Sequence, residues 1–327
     1  MTVIPSSTHF FYTCCIKVYW RVRGILNKMV LLLSRLSERY IRPKILRRNV
    51  RHVSGPETVD YGLDEVITLC VVRNGELHVR SFIEHHFRIG VRHMVFLDNG
   101  STDETVGIAA EYSHVTILQT KLPYRTYENV MKRHLVQQFS QNRWSLFVDI
   151  DERFDYPCSD VLPLSSLLTY LNKHSYTAVV AQMLDLFPNA SVIGIPSENN
   201  NLTQERCTYY DISNIEKTDY PYGILSDTRV KMHWGGIRRS MFGTRNGLTK
   251  AALIFLDGKL EPFVVWHHVR YARIADFTCL LRHYPFTGPF YEKVADAVET
   301  GRYGRVTTRE YENYWEVLNR NPPLTLY

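Results

Sequence analysis

The chain has 327 residues, 45% of them apolar and 22% charged, a balance of ordinary globular proteins and a length that suits one large α/β domain or two small ones. The formal charge of +6 gathers in residues 17–52, where eleven Lys or Arg face the single acid Glu38. The remainder is close to neutral, so a nucleic-acid-binding surface on the main body is not indicated. Six scattered cysteines form no C-x-x-C pair, which excludes a zinc framework and suits a reducing compartment.

No stretch of about 18 or more uncharged apolar residues occurs, so no transmembrane helix is expected. The run Phe10–Tyr19, broken by Lys17, makes a poor signal peptide. Residues 8–40 have helical spacing, with Trp20, Ile25, Met29, Leu32, Leu33 and Leu36 on one face and Arg21, Lys28, Arg35 and Arg39 on the others. Two readings stand: a basic amphipathic helix lying in an anionic membrane interface, or a helix packed on the body of the protein. Pro43 and the basic run to Arg51 read as a linker, closed by Ser54-Gly55-Pro56. This divides the chain into an arm and linker (1–55), a body (56–315) and a tail (316–327).

After Asp64, Val66–Val72 is a continuous apolar run of the buried parallel-strand kind. Glu76 to Ile89 is helical, closed by Gly90, and His93–Leu97 is a second strand. Ser101-Thr102-Asp103-Glu104 caps a second helix. Val115–Leu118 is a strand, Tyr127–Phe139 a helix and Trp144–Val148 a fourth strand. This alternation predicts an α/β domain with a mostly parallel sheet and helices on both faces. Ligands of such sheets bind at the carboxyl ends of the strands. Three polar clusters fall there: Arg73-Asn74-Gly75-Glu76, Asp98-Asn99-Gly100-Ser101 and Asp149-Ile150-Asp151-Glu152.

The third cluster is the most chemical. In an extended chain Asp149 and Asp151 point the same way, and two converging carboxylates repel unless a cation lies between them. Mg²⁺ or Mn²⁺ binds through one or two carboxylates plus substrate phosphates, and makes a diphosphate a better leaving group. A solvated acidic turn is the plainer reading. In the second cluster, Gly100 permits a tight turn, Ser101 or Asp103 caps the helix, and Asp98 is placed to accept a hydrogen bond from a base or ribose.

These residues in this order, with Phe82-Ile83-Glu84-His85-His86 and Gly90-Val91 between them, resemble the family 2 glycosyltransferases. More narrowly, residues 66–156 resemble the bacterial branch with an N-E-x(n)-H-x(3)-G-V segment and a D-N-x-S-T-D turn. Weaker similarity runs to about residue 315 through Gly235-Gly236-Ile237-Arg238, Leu248-Thr249-Lys250, His267-His268-Val269 and His283-Tyr284-Pro285. The chain departs from the pattern where Gly75 separates Asn74 from Glu76. The resemblance implies a GT-A (Rossmann-like) fold, a divalent metal, and a nucleotide half (64–156) followed by an acceptor half (157–315). It implies that Val72 and Glu76 flank the base, that Asp98 meets the base or ribose, that Asn74 and Asn99 also bind the nucleotide-sugar, that Asp149 faces the ribose or metal, and that Asp151 ligates the metal.

In Val264–Val269 the adjacent His267 and His268 point to opposite faces of an apolar strand. His267 stands where this branch resembles enzymes in which a late histidine completes the metal site; a core histidine is the alternative. His283, at a turn, is open to a diphosphate or a structural role. An inverting transfer needs a general base. Asp185, after the apolar run Val179–Leu184, is favoured over Asp227, and Arg238 is placed to hold the leaving diphosphate.

The expected function is therefore metal-assisted transfer of a sugar from a UDP- or GDP-linked donor to a glycan or lipid-linked acceptor. The expected place is the cytoplasm or the inner membrane face. Two rivals are a metal-dependent nucleotidyltransferase, which needs a richer phosphate-cradling loop after the first strand, and a non-catalytic carbohydrate-binding protein at a membrane surface.

Overall fold

In the computed structural model the apolar runs become strands; it describes residues 20, 22–23, 25–30, 32–188, 207–225, 227, 229–265, 267–287, 290–301, 303 and 305–320. Two compact units emerge, Met1–Arg48 and Asn49–Tyr327.

In the first unit the described residues from Trp20 are helical, passing through a π-helical turn (Ser37–Ile41) into α1 (Arg42–Asn49). Trp20, Ile25, Met29, Leu32, Leu33 and Leu36 are all exposed. Among the described residues, no helix is long and apolar enough to cross a membrane.

The second unit opens with β1 (Arg51–Ser54), then β2 (Val66–Val72), α2 (Glu76–Arg88), β3 (His93–Asp98), α3 (Thr105–Ala110), β4 (Val115–Gln119), α4 (Tyr124–Phe139) and β5 (Trp144–Phe147). Strands β4-β3-β2-β5 lie side by side and parallel. They are buried almost throughout, which is why their sequences are continuously apolar rather than alternating. The chain winds outward from β2 to β4, and α4 carries it back across to β5. The strand order therefore reverses between β2 and β5, and a crevice opens at their carboxyl ends. The α/β class and the mostly parallel sheet stand as expected.

The linker reading of residues up to 55 does not hold. Strand β1 pairs antiparallel with β4, Arg51 opposite Gln119. Gly55 follows at φ +81°, where a Cβ would sit 2.1 Å from the Val115 carbonyl oxygen. That glycine serves close approach to the sheet rather than a flexible boundary.

The second half adds β6 (Glu152–Asp155), α5 (Leu164–Lys173), β7 (Ala178–Phe187), β8 (Tyr209–Tyr210), β9 (Ile215–Asp219), β10 (Ile224–Leu225), β11 (Lys231–Gly235) and α6 (Ile237–Phe242). It continues through β12 (Thr249–Phe255), β13 (Glu261–Val265), β14 (His268–Arg270), β15 (Arg273–His283), α7 (Phe290–Thr300) and α8 (Arg305–Arg320). The sheet runs β1-β4-β3-β2-β5-β12-β7-β15-β10, with β6 beside β15 and β8 beside β7. Strand β12 is antiparallel to both its neighbours, β5 and β7.

The main core lies between this sheet and its helices, with Phe82, Phe96, Trp144 and Leu146 sealed from solvent. A second core joins Phe187, Ile237 and Phe242 to Phe286, Phe290 and Val294 of the α7 region and Tyr314 and Leu318 of α8. Each such side chain contributes about 1.5–3 kcal/mol by burial. Because Leu318 of α8 belongs to this core, the body extends past the expected boundary at 315. Cys70 and Cys279 are buried free thiols, as their apolar surroundings foretell.

Candidate active site

A cavity of about 1120 Å³ lies at the carboxyl ends of β2, β3 and β5, closed on the far side by α7 and α8. Val72, Asn74, Asn99, Asp149, Asp151 and Arg238 of the predicted site line it; Glu76, Asp98, Asp185 and His267 do not.

The D-x-D segment is a turn and not an extended strand: Glu152 N–H donates to the Asp149 carbonyl at 3.0 Å. Its carboxylates therefore meet different partners. Asp149 accepts from Lys250 Nζ at 3.0 Å, and the same ammonium donates to Glu152 Oε2 at 2.7 Å. Glu152 Oε2 also accepts the Asp149 N–H at 2.7 Å. Lys250 is 0% exposed, because β12 lies directly beside β5. Burial works to raise Asp149, but Lys250 together with the other basic groups around it, His267 and Lys132, outweighs burial and holds the carboxylate well below its usual range.

Asp151 faces a second network, built by strand register. In β15, His283 pairs with Glu152 of β6 on one side and with Asp185 of β7 on the other. His283 Nδ1 stands 2.6 Å from Asp185 Oδ1. A carboxylate only accepts, so that nitrogen carries the proton and Nε2 is left to face the cavity. There it lies 3.6 Å from Asp151 Oδ2, too long for a hydrogen bond. Lys293 Nζ of α7 stands 3.5 Å from the same oxygen. Burial disfavours the charged imidazole, but Asp151 and then Asp185 override it and lift His283 to about 9.

Asp185 does not fit the role of general base. It lies inside β7, which continues to Phe187, and not at a strand end. It is 5% exposed, and both oxygens are engaged by Arg238, at 2.7 and 3.3 Å, and by His283. No face remains to take a proton from an acceptor. Arg238 touches the cavity, but its guanidinium is spent on Asp185 and on Glu310 at 3.4 Å, so it anchors Asp185 rather than awaiting a diphosphate.

His267 also departs from expectation. The chain folds back between β13 and β14, placing His267 in the turn rather than within one continuous strand. Its imidazole lies among Lys132, Lys250 and Asp149, with Nδ1 buried and unbonded among the described residues. Burial, then those two cations, keep it neutral. His268 is a core residue, bonded to the Tyr220 hydroxyl at 3.2 Å and stacked on Tyr222.

At the nucleoside end, Asp98 is 0% exposed and closes its own turn, accepting from Gly100 and Ser101 N–H and from Gln119 Nε2 at 2.7 Å. Asn99 reaches the cavity while its amide donates to the Thr120 and Leu122 carbonyls. Glu76 is exposed in the first turn of α2, facing Glu104 N–H. Gly75 has a steric reason: a Cβ there would lie 2.9 Å from both Val72 Cγ2 and Ile150 Cγ1. The β2–α2 loop and the D-x-D turn are in contact at that point, and the contact leaves room only for glycine.

His283, Lys250 and Lys293 are the residues that the sequence does not single out for these roles. His283 carried a signal, since the short apolar run Cys279–Leu281 ends in Arg282-His283 at a strand terminus like the other polar clusters.

No family model matches the chain, and no curated protein does. Among solved structures it is similar to residues 1–349 of S. aureus TarS, with 14% identity over 78% of this chain and 71% of that one at a TM-score of 0.37. It is similar to glucosyl-3-phosphoglycerate synthase from Mycobacterium tuberculosis in complex with Mn²⁺, UDP and glucosyl-3-phosphoglycerate, with 16% identity over 40% and 52% at 0.26. It is also similar to HddC from Yersinia pseudotuberculosis, with 9% identity over 70% and 96% at 0.34. Likeness of this degree is one of general architecture, and what this site can do is read from its residues.

Proposed function

We propose that the chain is a glycosyltransferase of GT-A architecture that takes a nucleotide-diphosphate sugar into the crevice at β2, β3 and β5 and passes the sugar to a glycan or lipid-linked acceptor. The observation that carries this is the meeting of Asp151 with His283, itself braced by Asp185, on the wall of a cavity at the sheet's switch point. A carboxylate oxygen and an imidazole nitrogen 3.6 Å apart, the ring fixed by a second carboxylate, would form a donor pair for Mn²⁺ or Mg²⁺ once His283 gives up its Nε2 proton, leaving positions for phosphate oxygens. Asp151 and His283 would hold the ion, which when bound neutralises charge on the departing diphosphate.

The other residues bind and position. Asp185 fixes the His283 ring, and Arg238 fixes Asp185. Asp149, locked on one oxygen by Lys250, has the other available to a donor hydroxyl. Val72, Asn74 and Asn99 line the nucleoside end, which suits a UDP or GDP donor. An inverting course would draw its base from a carboxylate other than Asp185; Glu292 is exposed on the cavity wall and has no ion pair among the described residues.

The nucleotidyltransferase reading loses support at the β2–α2 loop. A triphosphate cradle needs free backbone N–H groups. Here Asn74, Gly75 and Glu76 N–H donate to Ser101 Oγ, Thr105 Oγ1 and Asp103 Oδ2 at 2.8, 2.7 and 3.1 Å. The loop is already consumed by its neighbour. The test is a screen of UDP- and GDP-sugars with Mn²⁺, following donor hydrolysis and thermal stability. One nucleoside diphosphate at a hundred times its Kd raises stability by about 2.7 kcal/mol. Absence of both hydrolysis and any thermal shift across the screen sinks the reading.

The arm is assigned to an anionic membrane surface. Its apolar side chains are exposed, and its described cations include Arg23, Lys28, Arg35 and Arg39. Each cation near such a surface contributes about 1 kcal/mol, and the apolar face adds burial among the headgroups. The full chain is expected to sediment with anionic but not neutral vesicles, and less so as salt rises. The Leu32→Asp/Leu33→Asp variant is expected to stay in the supernatant. Equal sedimentation of that variant ends the assignment.

A further inference from the structure

Asp151 Oδ2 has two neighbours in competition: His283 Nε2 at 3.6 Å and Lys293 Nζ at 3.5 Å. They come from opposite walls. His283 ends a strand and is braced by Asp185, so it cannot leave. Lys293 is different. Its helix α7 is pinned through buried Phe290, Val294 and Ala297, while the lysine side chain is 42% exposed and reaches over the cavity on a flexible stem. A dication between Asp151 and His283 would meet the Lys293 ammonium across the same carboxylate oxygen. Like charges at that separation repel strongly, so the ammonium must move, and a diphosphate is the anion that gives it somewhere to go.

We propose that Lys293 is a placeholder cation: it rests on Asp151 while the site is free of donor, and transfers to the donor diphosphate as the metal takes its place. This builds on the reading of Asp151 and His283 as the metal's ligands. Two consequences follow from one side chain. Metal alone binds weakly, because it must strip Asp151 of its partner. Metal and diphosphate bind together more tightly than either alone, and by linkage each strengthens the other by the same factor. Other cations nearby do not share this role: Lys250 is locked behind Asp149, Arg238 is locked on Asp185, and Arg73 and Arg125 line the cavity without an ion pair to Asp151 among the described residues.

The test is calorimetric titration of the full chain with Mn²⁺ alone, inorganic pyrophosphate alone, and Mn²⁺ in the presence of pyrophosphate. In the parent protein pyrophosphate is expected to tighten Mn²⁺ by about tenfold or more. In Lys293→Met, Mn²⁺ alone binds about tenfold tighter, pyrophosphate alone binds about tenfold weaker, and the mutual tightening shrinks towards unity. Lys293→Arg retains the tightening. Lys293→Gln, also neutral, repeats the methionine result and guards against an effect of that one side chain. Unchanged or weakened Mn²⁺ affinity in both neutral variants overturns the placeholder role, provided Asp151→Asn still loses the metal. Mn²⁺ affinity untouched by Asp151→Asn instead overturns the ligand assignment beneath it.

Discussion

Asp151→Asn is expected to remove Mn²⁺-dependent transfer while leaving the fold intact. Asp151 supplies the carboxylate oxygen that faces His283 Nε2 on the cavity wall. An amide of the same size keeps the turn, since the backbone carbonyl of residue 151 still accepts the Tyr284 N–H at 2.9 Å. What is lost is a charged metal ligand. Charge stabilisation by a metal amounts to several kcal/mol, so the rate should fall on the order of a hundredfold or more. His283→Gln should repeat the loss, and His267→Ala should not, because His267 sits in the β13–β14 turn and does not line the cavity. Steady-state rates with the best donor, beside circular dichroism of each variant, decide the matter. Full activity in a folded Asp151→Asn protein would falsify the metal assignment.

Lys250→Met is expected to cause the largest loss of stability of any single change at the site. Lys250 is fully buried and serves two carboxylates, Asp149 and Glu152. Methionine fills the space but leaves those carboxylates against each other without a cation. Breaking a buried pair from one side costs about 3–5 kcal/mol, more than a buried pair contributes over an apolar replacement. The double variant Lys250→Met/Glu152→Leu should regain part of the loss, since it removes an orphaned charge as well. Asp149 is held below the ordinary carboxylate range by Lys250 with the other basic groups around it, so its share of the stabilisation is present above that range and is lost as pH falls, while burial raises Glu152 and opposes this in part. Denaturant midpoints of the three proteins at neutral and acidic pH test this. A parent-like midpoint for Lys250→Met would show that the ion cluster carries no weight.

The fold from residue 66 to 147 was legible because each element announces itself locally. Val66–Val72 is apolar but for Thr68, Gly90 closes α2 at φ +101°, and Asp103 accepts the Thr105 N–H at the start of α3. The carboxyl-end rule then located the cavity and put Asp149 and Asp151 on its wall. Pairing between distant strands has no such local trace. The Asp185–His283 contact spans 98 residues and Lys250–Asp149 spans 101, and each depends on which strand lies beside which. The apolar run before Asp185 could not reveal that β7 continues to Phe187, with the aspartate facing Arg238. Nor could the run Val264–Val269 show that the chain reverses between β13 and β14, which separates the two histidines and leaves neither on the cavity lining. Asp98 had the right position and the wrong direction, because a tight turn with free N–H groups captured its carboxylate first.

The place of β12 bears on how this chain is made. The strand spans Thr249–Phe255 yet lies between β5 and β7, so it is the late arrival that joins the two parts of the sheet. A ribosome that has released residues up to β7 has released both flanking strands without the one that bridges them. Until Lys250 emerges, Glu152 has no cation to accompany it into the interior, and β5 presents an unpaired edge. The nucleotide half is thus expected not to fold by itself, although its motifs are complete by residue 156. It should acquire protease resistance only when nascent chains extend beyond about residue 255, and stalled chains released before that point should aggregate through the open β5 edge.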